Sequence, residues 1–157
     1  MNDGKTRTID AVRDADALVE ILDSGAILPL TVTGSSMLPF LRHRRDTVHL
    51  RKTDSPRRGQ ILFFRRANGE FVLHRLRRIL PDGRFLMNGD AQDWCEVITR
   101  EQVLAEVIMI TRNGKSRNPC GPGAQILNCL WYPTRHIRPL IWNCAFGLRR
   151  LFRTTRL

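Results

Sequence analysis

Between residues 28 and 112 turn-forming clusters cut the chain into short apolar, β-branched runs, and this punctuation restricts it to a fold of short strands. Strands are expected at 28–33, 46–51, 60–65, 70–78, 84–88 and 103–112. Asp54-Ser55-Pro56, Ala67-Asn68-Gly69 and Pro81-Asp82-Gly83 separate them, and Asn68-Gly69 and Asp82-Gly83 are hairpin signals. The expected class is mainly β, a domain of coiled antiparallel strands.

A helix is expected ahead of the strands, over about 9–22. Ala11, Val12, Ala15, Leu18, Val19 and Leu22 recur at helical spacing, Thr8 or Asp10 can cap it, and Gly25 ends it. Residues 1–112 then form one domain, 113–123 a linker rich in Gly, Pro and Asn, and 124–157 a tail. Within the tail Ile137, Leu140, Ile141, Cys144, Leu148, Leu151 and Phe152 fall on one face of a helix. A chain of 157 residues, 42% hydrophobic and 26% charged, can bury a real core, which argues against disorder.

Charge is the unusual term. The chain carries 26 Lys plus Arg against 15 Asp plus Glu, a formal net charge of +11. Nine basic residues run from Arg112 to Arg156, and no acidic residue follows Glu106. An anionic partner is implied. With Trp131, Tyr132 and Trp142 beside its arginines, the tail suits the surface of an anionic membrane, although an amphipathic helix packs on its own domain as readily. Arginines and prolines interrupt every apolar run before it reaches spanning length. No secretory signal is expected in 1–23, which holds six acidic residues and no apolar core. The expected location is cytoplasmic, with a peripheral position at the inner membrane face as an extension of that reading. The cysteines, Cys95, Cys120, Cys129 and Cys144, lack metal-binding spacing and are expected to be free thiols.

Three segments supply the parts of a hydrolytic triad. Ser36 follows the point where a β-branched run breaks at Gly34, on a turn that can expose a hydroxyl. A serine hydroxyl is a poor nucleophile until a base takes its proton, and a neutral histidine suits that task near pH 7. His74 lies in Glu70-Phe-Val-Leu-His-Arg-Leu76, whose alternation sets Phe71 and Leu73 on one side and Val72, His74 and Leu76 on the other. Asp90 follows Gly89 and is the first choice for the third member, with Asp93 and Glu96 as alternatives. Turn chemistry accounts for Ser36 and Asp90 as well, and a core histidine is the ordinary reading of His74. His43, His49 and His136 have no comparable context.

In order and in motif, these segments resemble signal peptidase I and its relatives, whose fold is shared with the self-cleavage domains of SOS repressors. The resemblance runs from Leu28 to Ile110. Gly34-Ser35-Ser36-Met37-Leu38-Pro39 matches the serine box, Arg58-Gly59-Gln60-Ile61 the next strand opener, His74-Arg75 the base strand, and Gly89-Asp90 the last box. A histidine at the base position resembles the archaeal and endoplasmic-reticulum type rather than the bacterial lysine type. The resemblance implies Ser36 as nucleophile, His74 as base and Asp90 or a neighbour as orienting carboxylate. Gly34, Ser35 and Met37 would line the oxyanion and substrate site; because Gly34 stands where many relatives carry an oxyanion-binding serine, the oxyanion hole would rely on backbone N–H groups, including that of Ser36. Gln60 replaces the usual aspartate after Gly59, and Arg45-Asp46 stands where Gly-Asp is frequent.

The expected function is a serine endopeptidase cleaving a leader or precursor peptide, with no cofactor and no metal. Two rival classes carry distinct signatures: a catalytically inactive peptide- or partner-binding module of the same fold, and a basic nucleic-acid-binding protein. The arginine pairs at strand ends lack a recognition helix or stacking motif, which disfavours nucleic acid. Substrate identity, the choice of carboxylate, the partner of the tail and the oligomeric state stay open at the level of sequence.

Overall fold

The computed structural model describes residues 15–137, and its centre is one antiparallel sheet. Helix α1 (Ala15–Asp23) precedes β1 (Leu28–Thr31), β2 (Asp46–Arg51), β3 (Ile61–Arg65), β4 (Phe71–Ile79), β5 (Phe85–Asn88), β6 (Glu96–Ile98), β7 (Val103–Arg112) and β8 (Lys115–Arg117). Helix α2 (Pro122–Trp131) and a 3-10 turn (Tyr132–Ile137) follow. The strand order is β1-β2-β7-β3-β4-β5-β6, with β8 paired to β7. The fold is therefore mainly β with an N-terminal helix, as expected.

Apolar runs of different kinds explain the layers. Strand β3 is buried on both faces, which its uninterrupted Ile61-Leu62-Phe63-Phe64 run permits. Ile61 and Phe63 join Leu18, Leu22, Met37, Leu41, Val48, Leu50 and Val107 in one core; Leu62 and Phe64 join Leu76, Phe85, Met87 and Ile98 in the other. Leu18 and Leu22, one helical turn apart, bury α1 in the first core, and Ile21 packs against it beside them. The hairpins close as the turn residues dictate: Gly69 and Gly83 take φ of 88° and 81°, conformations that side-chain-bearing residues rarely adopt.

Asn113 and Gly114 also take positive φ, 50° and 74°, and turn the chain from β7 into β8. Strand β8 and the start of α2 thus fall within the expected linker 113–123. The first part of the expected N-terminal helix, the tail helix beyond Ile137, Trp142 and Cys144 lie outside the described residues. Among the described residues no helix is long and apolar enough to cross a membrane.

Candidate functional site

The serine turn is anchored from below and braced at its neck. Met37 and Leu41 are buried in the first core, and the Leu41 N–H donates to the Met37 carbonyl at 2.9 Å. Gly34 adopts φ of 85°, and its N–H donates to Nδ1 of His43 at 3.0 Å. His43 therefore has a bracing contact within this turn. His49 pairs through Nε2 with the Thr111 hydroxyl at 3.0 Å, between β2 and β7. Ser35 is exposed and Ser36 half-buried at the outer edge of the turn.

The Gly89–Ala91 loop packs directly on this turn. The Ala91 N–H donates to the Ser36 carbonyl at 2.8 Å. A Cβ built at Gly89 would stand 2.8 Å from the same carbonyl and would also collide with Gln92, so only glycine fits there. Arg75 faces Asn88 across β4 and β5, and that register continued by one residue sets His74 level with Gly89. Gly89 thus lies between the Ser36 backbone and the histidine strand. Among the described residues, the Ser36 hydroxyl makes no hydrogen bond to His74.

Strand alternation decides the environment of His74. Its side chain shares a face with Leu62, Phe64 and Leu76, is 1% exposed, and has the Phe64 and Trp94 rings at 6.0 and 6.1 Å. Leu76 faces Met87, and Met87 faces Glu96, so the row across β4, β5 and β6 carries Glu96 onto the same face. His74 Nδ1 lies 2.7 Å from Glu96 Oε1, at ion-pair distance but without the linear approach of a full hydrogen bond. Burial pushes the imidazole below its ordinary pKa, and the Glu96 carboxylate beside it only partly counters this. For Glu96, burial favours the neutral acid, yet the Arg66 hydrogen bonds and the neighbouring His74 outweigh it and hold the carboxyl below its ordinary range.

Asp90 is occupied elsewhere, which departs from its expected place beside the histidine. It is fully buried, with Arg75 Nη2 2.7 Å from Oδ2 and Arg77 Nη2 2.7 Å from Oδ1. Arg75 follows His74 directly and therefore points to the opposite face of β4, and Asp90 follows it there. Arg75 also donates to the Gly59 carbonyl at 2.8 Å and lies over the Phe40 ring at 5.3 Å. The structure thus pairs Glu96, the second alternative, with the imidazole. Asp93 is exposed in the loop between β5 and β6.

The departures from the serine-box pattern have structural partners. Gln60 accepts from the Arg57 N–H at 2.6 Å and donates to Glu106. Asp46 is buried against Arg112 and accepts from the Arg42 N–H at 3.0 Å. Sequence reasoning missed Arg66, Arg75, Arg77 and Trp94 at this site. Arg75 and Arg77 carried a signal, since both lie two apart on a strand whose other face holds the histidine.

A sequence model of the Peptidase S24-like family matches residues 6–110. The chain belongs to the Peptidase S24-like family. The matched span takes in the serine turn, His74, the Gly89–Asp90 loop and Glu96, and it ends before β8 and α2. No curated protein and no solved structure matches this S24-like chain. The antiparallel sheet and its N-terminal helix are consistent with the S24-like fold.

Proposed function

We propose that the protein is a serine endopeptidase that cleaves a leader or precursor peptide, with Ser36 as nucleophile, His74 as general base and Glu96 as the orienting carboxylate. The observation that carries this reading is the buried His74 with partly buried Glu96 at its Nδ1, set level with the loop that packs on the Ser36 turn. A carboxylate at Nδ1 selects the tautomer with the proton on Nδ1 and leaves the Nε2 lone pair as the proton acceptor. Depression of the imidazole pKa keeps that lone pair free at neutral pH.

In the reaction, Ser36 Oγ attacks the peptide carbonyl carbon while its proton passes to His74 Nε2. The carbonyl oxygen takes up the negative charge and is stabilised by backbone N–H groups of the serine turn, that of Ser36 among them, since the Gly34 N–H is held by His43. Collapse of the tetrahedral species breaks the C–N bond, and His74 returns the proton to the leaving amine. Water then attacks the acyl carbon, giving a proton to His74, and collapse breaks the C–Oγ bond as His74 returns that proton to Ser36 Oγ and the carboxylate product leaves.

A second reading, a peptide-binding module without turnover, draws on the missing hydrogen bond between Ser36 and His74 among the described residues. Catalytic hydrogen bonds are often long in ligand-free enzymes and shorten with substrate in place. Incubation with a peptide library, followed by mass spectrometry of new termini, separates the two. The peptidase reading expects new termini with the native protein and none with Ser36→Ala. Identical spectra for both would replace it with the binding module.

A further inference from the structure

Arg66 stands just after β3, at the mouth of the turn into β4, and its guanidinium takes a two-point grip on Glu96. Nε lies 2.8 Å from Oε2 and Nη2 2.8 Å from Oε1. Such fork-to-fork pairing fixes both the position and the plane of a carboxylate. The oxygen held by Nη2 is the one that lies 2.7 Å from His74 Nδ1. A permanent cation and the imidazole therefore share one carboxylate oxygen. Trp94 adjoins the group, with the Arg66 guanidinium 5.8 Å from its ring and the His74 ring in T-shaped contact at 6.1 Å. Arg66 is itself steadied by Glu70, 3.0 Å from Nη1.

We propose, resting on the peptidase reading, that Arg66 is a positioning residue: it locks the Glu96 carboxylate against His74 Nδ1 and limits how strongly that carboxylate can draw a proton onto the ring. An unshared buried carboxylate would favour a charged imidazolium, which cannot act as a base. Burial is the main reason the imidazole stays neutral, and the Arg66 charge on the shared oxygen adds to it while the fork holds the carboxylate in place. The charged groups acting on His74 are Glu96 from β6, Arg66 from the β3–β4 turn and Asp90 from the loop after β5. Glu96 and Asp90 favour its protonated form, and Arg66 opposes it.

The test is an NMR titration of the His74 ring in the full chain, for the native protein, Arg66→Gln, Arg66→Lys and Glu96→Gln, run beside the pH profile of Ser36 acylation by a serine-directed probe. Arg66→Gln should raise the His74 titration midpoint by about half a pH unit or more and carry the acid limb of acylation upward with it. Arg66→Lys, which keeps the charge and loses the fork, should fall between the native protein and Arg66→Gln. Glu96→Gln should move the midpoint down. An unmoved midpoint in Arg66→Gln overturns the proposal and reduces Arg66 to a brace between the β3 turn and β6, whatever happens to acylation. A raised midpoint with no acylation of any variant sustains the hold of Arg66 on the pair while removing the peptidase reading.

Discussion

The indole N–H of Trp131 donates to the backbone carbonyl of Asp90 at 2.6 Å. Through it α2, which lies beyond the family match, is tied to the loop that packs on the serine turn. Phe40, from the serine turn itself, meets the Trp131 ring edge-on at 6.4 Å, and Arg77 donates to Asn128 of α2 at 2.6 Å. Helix α2 is thus docked on the loop after β5 and on Phe40 of the serine turn.

Trp131→Phe keeps an aromatic ring, though a smaller one, and removes the donor. The Asp90 carbonyl then loses a partner, and the expected cost is about 1–2 kcal/mol. Hydrogen exchange across 122–131 should accelerate more than exchange across β3 and β7. Equal protection in both proteins would show that the indole contributes nothing to docking.

Asp90 and Glu96 should separate cleanly by what each variant loses. Asp90→Asn leaves two arginines facing a neutral amide in a buried setting, and breaking such a pairing costs about 3–5 kcal/mol. Glu96→Gln leaves its partner Arg66 partly exposed, so the loss of stability should be several-fold smaller while acylation of Ser36 falls sharply. Urea melts and labelling rates on the two variants check this. The reverse pattern would return the orienting role to Asp90.

The pH dependence of stability follows from His74. Its folded-state pKa lies below the ordinary 6.5, so the unfolded chain takes up a proton that the native ring refuses. The contribution is full above pH 6.5 and is lost as pH falls from there through the folded value. Glu96 and Asp46 are also held below their ordinary 4.5 and 3.8, and their contributions disappear at lower pH still. Urea melts at successive pH values should show stability falling below pH 6.5, with the first part of that decline absent in His74→Gln. A His74→Gln profile parallel to the native one would contradict the burial argument.

Much of this architecture was legible because its signals are local. The alternation across Phe71–Leu76 placed His74 among apolar neighbours, and Asn68-Gly69 and Asp82-Gly83 marked their hairpins. Strand β6 was not legible: Glu96-Val97-Ile98 is three residues long and follows Trp94 and Cys95, with no turn pair to announce it. Missing β6 hid the register that puts Glu96 on the histidine face. Asn113-Gly114 carries the same hairpin signal as Asn68-Gly69, yet Lys115-Ser116-Arg117 has no apolar residue to mark a strand. The capture of Asp90 by Arg75 and Arg77 is a pairing between β4 and the loop after β5, set by which face of β4 the arginines take, and no local turn signal encodes it.

Gly89 offers a test of the contact between the two loops. In Gly89→Ala the new methyl would meet the Ser36 carbonyl at 2.8 Å and collide with Gln92, so one loop must shift. Overpacking of this kind costs about 1–3 kcal/mol. Acylation of Ser36 should drop by more than that loss of stability accounts for, as measured on the folded fraction at matched conditions. Native labelling rates would mean that the Ser36 turn is positioned independently of this loop.

The most direct measurement is covalent labelling of the native protein by a serine-directed acylating probe, located by intact mass and peptide mapping, beside Ser36→Ala and His74→Ala. A single adduct on Ser36 that is absent from both variants is the predicted result. No adduct on Ser36 across the pH range where His74 is neutral would contradict the account at its centre.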